Sequence, residues 1–358
     1  MKAVSLFSGC GGLDLGLERA GFKVVFASDL DPYCAASYEL NFPGVPFHQG
    51  TAGELTKELL AKVSNGETLG QIDLLAGGPP CPPFSKSRFY RTEKPRALAD
   101  AVGEETINAY LSMLEAVRPR SFILENVAGL AYKVHESALD LILGTAEGLG
   151  YEISSKVVNA ADYGVPQMRE RFFVVGMLDG SFEFPEPTHA KEPGSSAETA
   201  ARLPWVTAGE EINDLDTEEN ADDTGHFAGG KYHHLLEEIP PGDNYLFLTA
   251  KRGHPDPQFE WRKRYWSFLL KLSPDLPSWT IQARRSNNMG PLHWRNRILR
   301  IEEVKRLQTF PDDWQLTGTI ERQWRQVGNA VPPLLAEVLG SALSEQLGMV
   351  ESYDQQAA

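Results

Sequence analysis

Short apolar runs alternate with amphipathic segments through the first half of the chain, and this alternation constrains the fold more than any other feature. Runs rich in β-branched and aromatic residues cover residues 3–7, 24–28, 72–76 and 122–124. The segments between them place apolar residues at helical spacing. Strands that alternate with helices in this way form a sheet covered by helices on both faces. The sequence therefore predicts an α/β fold with a doubly wound sheet.

The alternation stops after the apolar run that ends at Gly176. A segment rich in proline, glycine and acidic residues follows over residues 181–242, and a helical pattern resumes at residues 301–307. Long stretches of this composition are typical of irregular structure or of a separate lobe. We therefore predict a core over residues 1–180, a second domain over residues 181–300 and a C-terminal segment, residues 301–358, that returns to pack on the core.

Charge is distributed unevenly along the chain. The formal net charge of −15 opposes nucleic-acid binding by the protein as a whole, because phosphate contacts need Lys and Arg. Within residues 251–300, however, cations outnumber acids. The cations of this basic window are Lys251, Arg252, Arg262, Lys263, Arg264, Lys271, Arg284, Arg285, Arg295, Arg297 and Arg300. The sequence thus predicts that acidic and basic faces are segregated.

Three cysteines, Cys10, Cys34 and Cys81, lie far apart and form no CxxC pair, which argues against a disulfide framework and a structural zinc site. The N-terminal apolar stretch is too short for a signal peptide, and no run reaches membrane-spanning length. We expect a cytoplasmic protein that does not contact a membrane.

A glycine-rich loop follows the first predicted strand and opens a helix. Gly9, Gly11 and Gly12 permit a tight turn and a close backbone approach to a ligand, but Asp14 stands where the dinucleotide fingerprint has its third glycine. Asp29, at the end of the second strand, is placed to accept hydrogen bonds from ribose hydroxyls. The pattern favours an adenosine-type ligand without a pyrophosphate. Alternatively, the glycines are turn residues and Asp29 is a helix cap.

Two reactive side chains follow neighbouring strands. Cys81 lies in a proline-rich loop directly after residues 72–76, and Glu125 ends the next apolar run. Carboxyl ends of parallel strands share one edge of a sheet, so a nucleophile and a proton donor are expected to converge there. Arg169 and Arg171 precede a further strand and are candidates to bind a carbonyl oxygen and to favour the Cys81 thiolate. A buried structural cysteine and surface salt bridges are the alternatives.

These segments, taken together and in this order, resemble the DNA (cytosine-5) methyltransferase family of the bacterial C5 methylase type. The matching segments are residues 7–16, 77–85, 125–127, 167–171, 306–311 and 326–333. The resemblance implies a Rossmann-like methyltransferase sheet dependent on S-adenosyl-L-methionine, with a smaller target-recognition lobe. It also implies that S-adenosyl-L-homocysteine is the product and that no metal is needed.

The resemblance implies a role for each catalytic candidate. Cys81 would add to cytosine C6, because C5 is a poor nucleophile until that bond forms. Glu125 would donate a proton to N3, and Arg169 and Arg171 would lie near the base carbonyl O2 and the active-site loop. The target base would be flipped out of the duplex into the pocket.

Cofactor and DNA contacts are likewise implied by the resemblance. Phe7 would stack on adenine, Asp29 would bind ribose, and Asn329 with Val331 would close the methionine pocket. The remaining cofactor candidates are Gly9, Gly11, Gly12, Leu30, Gly78 and Pro80, and the DNA-contact candidates are Ser85, Lys86, Arg88, Arg284 and Arg285. The chain departs from the family pattern at Pro82, where glutamine is usual, at Leu30, where an aromatic residue is common, and at residues 50–52, which lack the common Asp.

Other functions remain open from the sequence. A tRNA cytosine-5 methyltransferase uses closely related motifs, although the long variable region favours double-stranded DNA. A non-catalytic DNA-binding module would be expected to lose a reactive residue, and a nicotinamide-dependent dehydrogenase would leave the Cys81 loop unexplained. We expect a monomer, associated with the nucleoid in a bacterium, that works with a cognate restriction endonuclease, with proteins of another phage-defence system, or alone.

Overall fold

The computed structural model describes residues 1–55, 72–80, 97–217 and 228–357. Cys81, together with the predicted DNA-contact residues Ser85, Lys86 and Arg88, lies outside the described residues.

One seven-stranded sheet forms the centre of the molecule. Its strands are β1 (Lys2–Leu6), β2 (Lys23–Asp29), β3 (Phe47–Gln49), β4 (Leu74–Gly77), β5 (Ser121–Val127), β6 (Glu152–Asn159) and β8 (Glu170–Met177), in the order β3-β2-β1-β4-β5-β8-β6. β8 runs antiparallel to both of its neighbours, and the other neighbouring pairs are parallel. The predicted α/β sheet is confirmed, with one reversed strand.

Burial on both faces explains why the central strands are continuous apolar runs instead of alternating ones. All of β4 is buried, and β5 is buried from Ser121 through Asn126. The predicted first strand is one residue too long, because β1 ends at Leu6 and Phe7 has a φ of 54°. That left-handed backbone turns the chain out of the sheet into the glycine loop.

Eight helices are described, and most of them cover the sheet. They are α1 (Gly12–Arg19), α2 (Pro32–Asn41), α3 (Ala101–Val117), α4 (Glu136–Gly148), α5 (Ala208–Ile212), α6 (Ile301–Leu307), α7 (Ile320–Asn329) and α8 (Pro333–Ala357). None of the described helices has both the length and the apolarity to span a bilayer.

The C-terminal helix packs on the first helix of the core. A Cβ atom added at Gly16 in α1 would lie 2.4 Å from the Ala336 Cβ atom in α8, so the two helices approach backbone to backbone. Leu339 and Leu343 of α8 are buried in the same core as Leu17. The return of the C-terminal segment therefore completes one face of the sheet.

The described residues 181–217 and 228–300 contain little regular structure. The short strands β9 (His189–Ala190) and β10 (Leu203–Pro204) pair with each other, and an aromatic cluster that includes Tyr232, Tyr245 and Phe268 packs at the centre of the later part. β11 (Ser278–Trp279) then pairs with β7 (Gln167–Met168). The chain thus contacts the core well before residue 300, where we placed the boundary.

Candidate active site

Two loops and the end of a strand meet at the carboxyl edge of the sheet. The glycine loop follows β1, residues 78–80 follow β4, and Glu125 lies near the end of β5. β1 pairs with β4, and β4 pairs with β5, all in parallel. The sheet therefore brings the predicted cofactor loop and the predicted proton donor to one edge, where α/β proteins bind ligands.

The glycine loop is held by Asp29. The backbone N–H of Gly9 donates to Asp29 Oδ2 at 2.9 Å, and the N–H of Asp31 donates to Oδ1 at 2.8 Å. Burial raises the pKa of Asp29, although these two hydrogen bonds oppose the rise. Each carboxylate oxygen retains a further acceptor site. Asp29 can thus fix the loop and still accept from a ligand.

Positive φ angles and close contacts explain the glycines of this loop. Gly9 and Gly11 have φ values of 57° and 88°, a region that favours glycine. Within the described part of the chain, a Cβ atom at Gly9 would meet no atom within 4 Å, so open space adjoins the loop there. A Cβ atom at Gly12, by contrast, would lie 2.5 Å from the carbonyl oxygen of Val331. The loop is open on one side and closed by the C-terminal segment on the other.

The two predicted residues of the C-terminal segment differ in exposure. Val331 is buried against the glycine loop, whereas the side chain of Asn329 is exposed. Trp314 donates from Nε1 to the Cys10 carbonyl oxygen at 3.2 Å, which adds a second link between the C-terminal segment and the loop.

Glu125 is buried, with 4% of its surface exposed, at the carboxyl edge. Its Oε1 lies 2.9 Å from Arg171 Nε, in an ion pair without hydrogen-bond alignment. Burial raises the pKa of Glu125, and the nearby charges of Arg171 and Arg169 oppose that rise. A Cβ atom at Gly78 would lie 2.8 Å from Glu125 Oε2, so only glycine leaves room for the carboxyl group. The structure thus brings Glu125, Arg171 and Gly78 together.

Asn126 fixes the loop that leads toward Cys81. This buried side chain donates from Nδ2 to the Pro79 carbonyl oxygen at 3.1 Å and accepts from the Val127 N–H at 2.9 Å. Asn126 was assigned no role from the sequence. Its position at the end of an apolar run, directly after Glu125, was the available signal, since a polar side chain buried there needs partners.

Arg169 is fully buried and donates to backbone carbonyl groups. Its guanidinium reaches the carbonyl oxygens of Ala330 at 2.8 Å, Gly328 at 3.1 Å and Ile281 at 3.3 Å. Arg171, by contrast, turns toward Glu125. The two arginines thus have different surroundings, and Arg169 links the segment before Val331 to the chain that follows β11.

Two glutamines extend this link. Gln167 donates from Nε2 to Gln308 Oε1 at 2.8 Å and accepts from the Ile281 N–H at 2.9 Å, while Gln308 donates to the Val327 carbonyl oxygen at 2.6 Å. Both side chains are fully buried. They lie in matching segments but received no role, because their partners are distant along the chain. We call Gln167, Arg169 and Gln308 the polar latch.

Three cations of the basic window bind acceptors within the protein. Lys271 donates to the Ile239 carbonyl oxygen at 2.8 Å, Arg297 pairs with Glu303 at 2.6 Å, and Arg300 donates to the Leu215 carbonyl oxygen at 2.7 Å. The protein itself provides acceptors for these three cations, so they stabilise the fold.

The other predicted ligand contacts differ in exposure. Leu30 is 64% exposed. Arg284 is exposed, and the Arg285 side chain, 15% exposed, pairs with Glu321 at 3.6 Å. Pro80 is half-buried at the end of the described part of its loop.

Comparisons with known proteins agree with one another. The family model described as C-5 cytosine-specific DNA methylase matches residues 1–345. Type II methyltransferase M.SacI of Streptomyces achromogenes is 38% identical over 377 residues, covering 98% of this chain and 95% of the relative. Type II methyltransferase M.NgoFVII of Neisseria gonorrhoeae is 34% identical, covering 93% and 83%. The crystal structure of the S. pombe Dnmt2 methyltransferase has the same fold, with a TM-score of 0.65, 17% identity and coverage of 97% and 99%.

Proposed function

The chain is an enzyme of the C-5 cytosine-specific DNA methylase family, and we propose that it methylates C5 of cytosine within a short sequence of double-stranded DNA. The resemblance inferred from its motifs is thereby confirmed. The observation that carries the proposed chemistry is the buried pair of Glu125 and Arg171, at the same sheet edge as the glycine loop. The strand that leads to Cys81 ends at that edge as well.

The glycine loop fits S-adenosyl-L-methionine. Open space adjoins Gly9 among the described residues, and the half-buried carboxylate of Asp29 offers acceptors suited to ribose hydroxyls. In this proposal Phe7, which follows β1, stacks on adenine, and Asn329 and Val331 close the methionine pocket. The carbonyl oxygen of Val331 lies against Gly12 of the glycine loop. When bound, the cofactor supplies a methyl group from its sulfonium and leaves as S-adenosyl-L-homocysteine.

Cys81 and Glu125 activate the base. The Cys81 thiolate forms a bond to C6 of a flipped cytosine, and the electron pair displaced from the C5–C6 double bond moves into the ring. Glu125 gives its proton to N3, so the adduct gains no net negative charge. After C5 has received the methyl group, water or hydroxide removes the C5 proton. The Cys81–C6 bond then breaks, restoring the double bond, and N3 returns its proton to Glu125.

Glu125 is suited to this role by its burial. A carboxyl group with a raised pKa keeps its proton at higher pH than an exposed one, so the acid form needed for N3 is more abundant. Arg171 lies beside it and is the better placed of the two arginines to bind the base carbonyl O2. We assign Arg169 a positioning role through the polar latch, because its donors already meet backbone carbonyl oxygens.

Several relatives are named type II methyltransferases, which supports a role in a restriction-modification system with a cognate endonuclease. A tRNA cytosine-5 methyltransferase is the alternative within the same chemistry. A binding module without activity would need none of the Glu125–Arg171 geometry. A monomer in the bacterial cytoplasm remains part of the proposal.

Covalent trapping tests the proposed chemistry. A long duplex synthesised with 5-fluorodeoxycytidine carries fluorine where the C5 proton would be lost, so an adduct formed in the presence of the methyl donor persists. We expect a denaturation-resistant protein–DNA complex with the wild-type chain and with Cys34→Ser, a matched control, and none with Cys81→Ala. A complex that persists in Cys81→Ala would contradict the assigned nucleophile. Trapping on 5-fluorocytosine RNA alone would favour the tRNA alternative.

A further inference from the structure

Five consecutive exposed residues stand out on a protein whose net charge is −15. Residues 262–266 read Arg-Lys-Arg-Tyr-Trp, and we call them the basic–aromatic segment. Trp266 is 53% exposed and Tyr265 is 55% exposed. Large aromatic side chains beside arginines mark interaction surfaces more often than they mark unspecialised surface. The segment therefore presents cations and apolar rings to the same partner.

Aromatic rings hold the two arginines without neutralising them. The Arg264 guanidinium carbon lies 5.4 Å from the Phe268 ring centroid, and that of Arg262 lies 5.7 Å from the Trp261 centroid. No described carboxylate pairs with either arginine. Lys263 lies 3.9 Å from Glu260, but both side chains are more than 70% exposed, where such pairs contribute little. The positive charge of the segment remains available to an anionic ligand.

Buried polar groups fix the backbone of the segment. The Tyr245 hydroxyl donates to the Arg264 carbonyl oxygen at 2.9 Å, and Asn244 Nδ2 donates to that of Trp266 at 2.8 Å. Both donors belong to residues that are at most 1% exposed. A surface segment whose backbone is fixed by hydrogen bonds from buried side chains loses little conformational freedom when a ligand binds.

The segment adjoins the catalytic edge. The Trp266 ring contacts the Trp279 ring edge to face, with centroids 5.7 Å apart. Trp279 lies in β11, which pairs with β7, and Thr280 donates to the Met168 carbonyl oxygen at 2.7 Å. Met168 directly precedes Arg169 of the polar latch. A ligand bound to the segment would thus lie beside the edge that carries Glu125.

We propose that the basic–aromatic segment binds duplex DNA beside the target cytosine. Arg262, Lys263 and Arg264 contact phosphates, and Trp266, supported by Trp279, packs against a nucleotide. This inference rests on the proposed function, since it takes DNA as the substrate. It also differs from the sequence-based choice of Arg284 and Arg285, because Arg285 already pairs with Glu321.

The salt dependence of DNA binding separates the two kinds of contact. Each phosphate contact adds about 0.9 to the slope of log Kd against log salt, so Arg262→Ala/Lys263→Ala/Arg264→Ala should lower the slope by about 3. Trp266→Ala should leave the slope unchanged and weaken binding roughly 10-fold at every salt concentration, because stacking is not ionic. The measurement is fluorescence anisotropy with a labelled genomic duplex and the chain saturated with S-adenosyl-L-homocysteine.

A matched triple variant controls for net charge. Arg19→Ala/Lys23→Ala/Lys156→Ala removes three exposed cations outside residues 181–300, of which Lys23 begins β2 at the opposite edge of the sheet. This control should keep the wild-type slope. Calorimetric binding of S-adenosyl-L-homocysteine checks that each variant is folded. If the triple variant fails that check, Arg262→Ala and Lys263→Ala alone should each lower the slope by about 1.

The outcomes are distinct for the two proposals. A segment variant that is folded and keeps both the wild-type slope and affinity would overturn the present inference while leaving the proposed function intact. An equal loss of slope in the matched control would overturn it too, since only net charge would then matter. A wild-type chain that binds RNA but no duplex DNA would instead contradict the proposed function.

Discussion

Arginines at the catalytic edge are surrounded by acceptors, whereas those of the basic–aromatic segment lie on aromatic rings and face solvent. Arg169 reaches four backbone carbonyl oxygens, and Arg171 pairs with Glu125. Arg262 and Arg264 have ring contacts instead. The acceptors around an arginine, and not its charge, therefore decide whether it stabilises the fold or is available to a ligand.

The largest effect is expected from Glu125→Gln. Glutamine keeps the shape of the side chain but has no proton to transfer to N3, so methyl transfer should fall by about 10²–10⁴-fold. Single-turnover transfer of a labelled methyl group to duplex DNA measures the loss. Glu152→Gln, at an exposed position on β6, is the matched control and should retain wild-type activity.

The pH dependence of kcat/KM tests the assignment of Glu125 as the proton donor. Glu125 acts as an acid, so activity is lost as pH rises through its pKa, and the raised pKa moves that loss to higher pH. The falling limb of kcat/KM should be absent from the residual activity of Glu125→Gln. An unchanged limb in this variant would assign the titration to another group.

Arg169→Ala should cost stability where Arg264→Ala does not. Removing the Arg169 guanidinium leaves buried carbonyl oxygens without their donor, and the expected loss is about 3–5 kcal/mol in the free energy of unfolding. Arg264→Ala, which removes an exposed cation, should change it by less than about 0.5 kcal/mol. Urea denaturation of both variants makes the comparison. Similar losses of unfolding free energy in the two variants would contradict the distinction between arginines that stabilise the fold and arginines available to a ligand.

Burial of the Asp14 carboxyl group is expected to make the free energy of unfolding depend on pH. This fully buried carboxyl accepts from the Ser5 hydroxyl at 2.6 Å, and burial raises its pKa from 3.8 to about 6. Because the folded state holds the proton more tightly, its stabilising contribution is complete below pH 3.8 and is lost as pH rises through about 6. The loss amounts to about 3 kcal/mol.

Asp14→Asn should remove this part of the pH dependence of unfolding, measured in urea at several values between pH 4 and 7. Asp31→Asn, at a carboxyl nearer the surface, should retain it. A variant at Asp14 with the full wild-type dependence would show that other groups control it.

Gly78→Ala should produce the smallest of these effects. Its Cβ atom would lie 2.8 Å from Glu125 Oε2, so the carboxyl must shift by a few tenths of an ångström, and kcat should fall roughly 10-fold. Gly144→Ala in α4 is the matched control, since its Cβ atom would meet nothing within 4 Å. That variant should keep kcat and gain up to about 1 kcal/mol of stability. Equal kcat values in the two variants would contradict the tight fit around Glu125.

The sequence predicted the elements of the fold better than their directions. The apolar runs of β1, β2 and β4 were placed within two residues at each end, because strands buried on both faces are continuous, whereas the run predicted for β5 ended three residues early. The reversal of β8 was not predicted, since an apolar run has the same composition in either direction. The left-handed backbone at Phe7 was also missed, because that conformation is uncommon outside glycine.

Glu125 was identifiable because an acid at the end of a buried strand is unusual. The polar latch could not be identified from the sequence, since Gln167 and Gln308 come into contact only when the C-terminal segment packs on the core. Similarly, Lys271 and Lys263 look alike in the sequence, and only the fold places the first against carbonyl oxygens and leaves the second exposed. The order of the motifs predicts the chemistry, whereas the role of an individual cation depends on its contacts in the folded protein.

Bisulfite sequencing of DNA from a methylase-free bacterial host that expresses the chain tests the central claim most directly. We predict 5-methylcytosine at one short sequence context with the wild-type chain, and none with Cys81→Ala produced at the same level. Unmethylated DNA in the presence of folded wild-type protein, or methylation that persists in Cys81→Ala, would contradict the account.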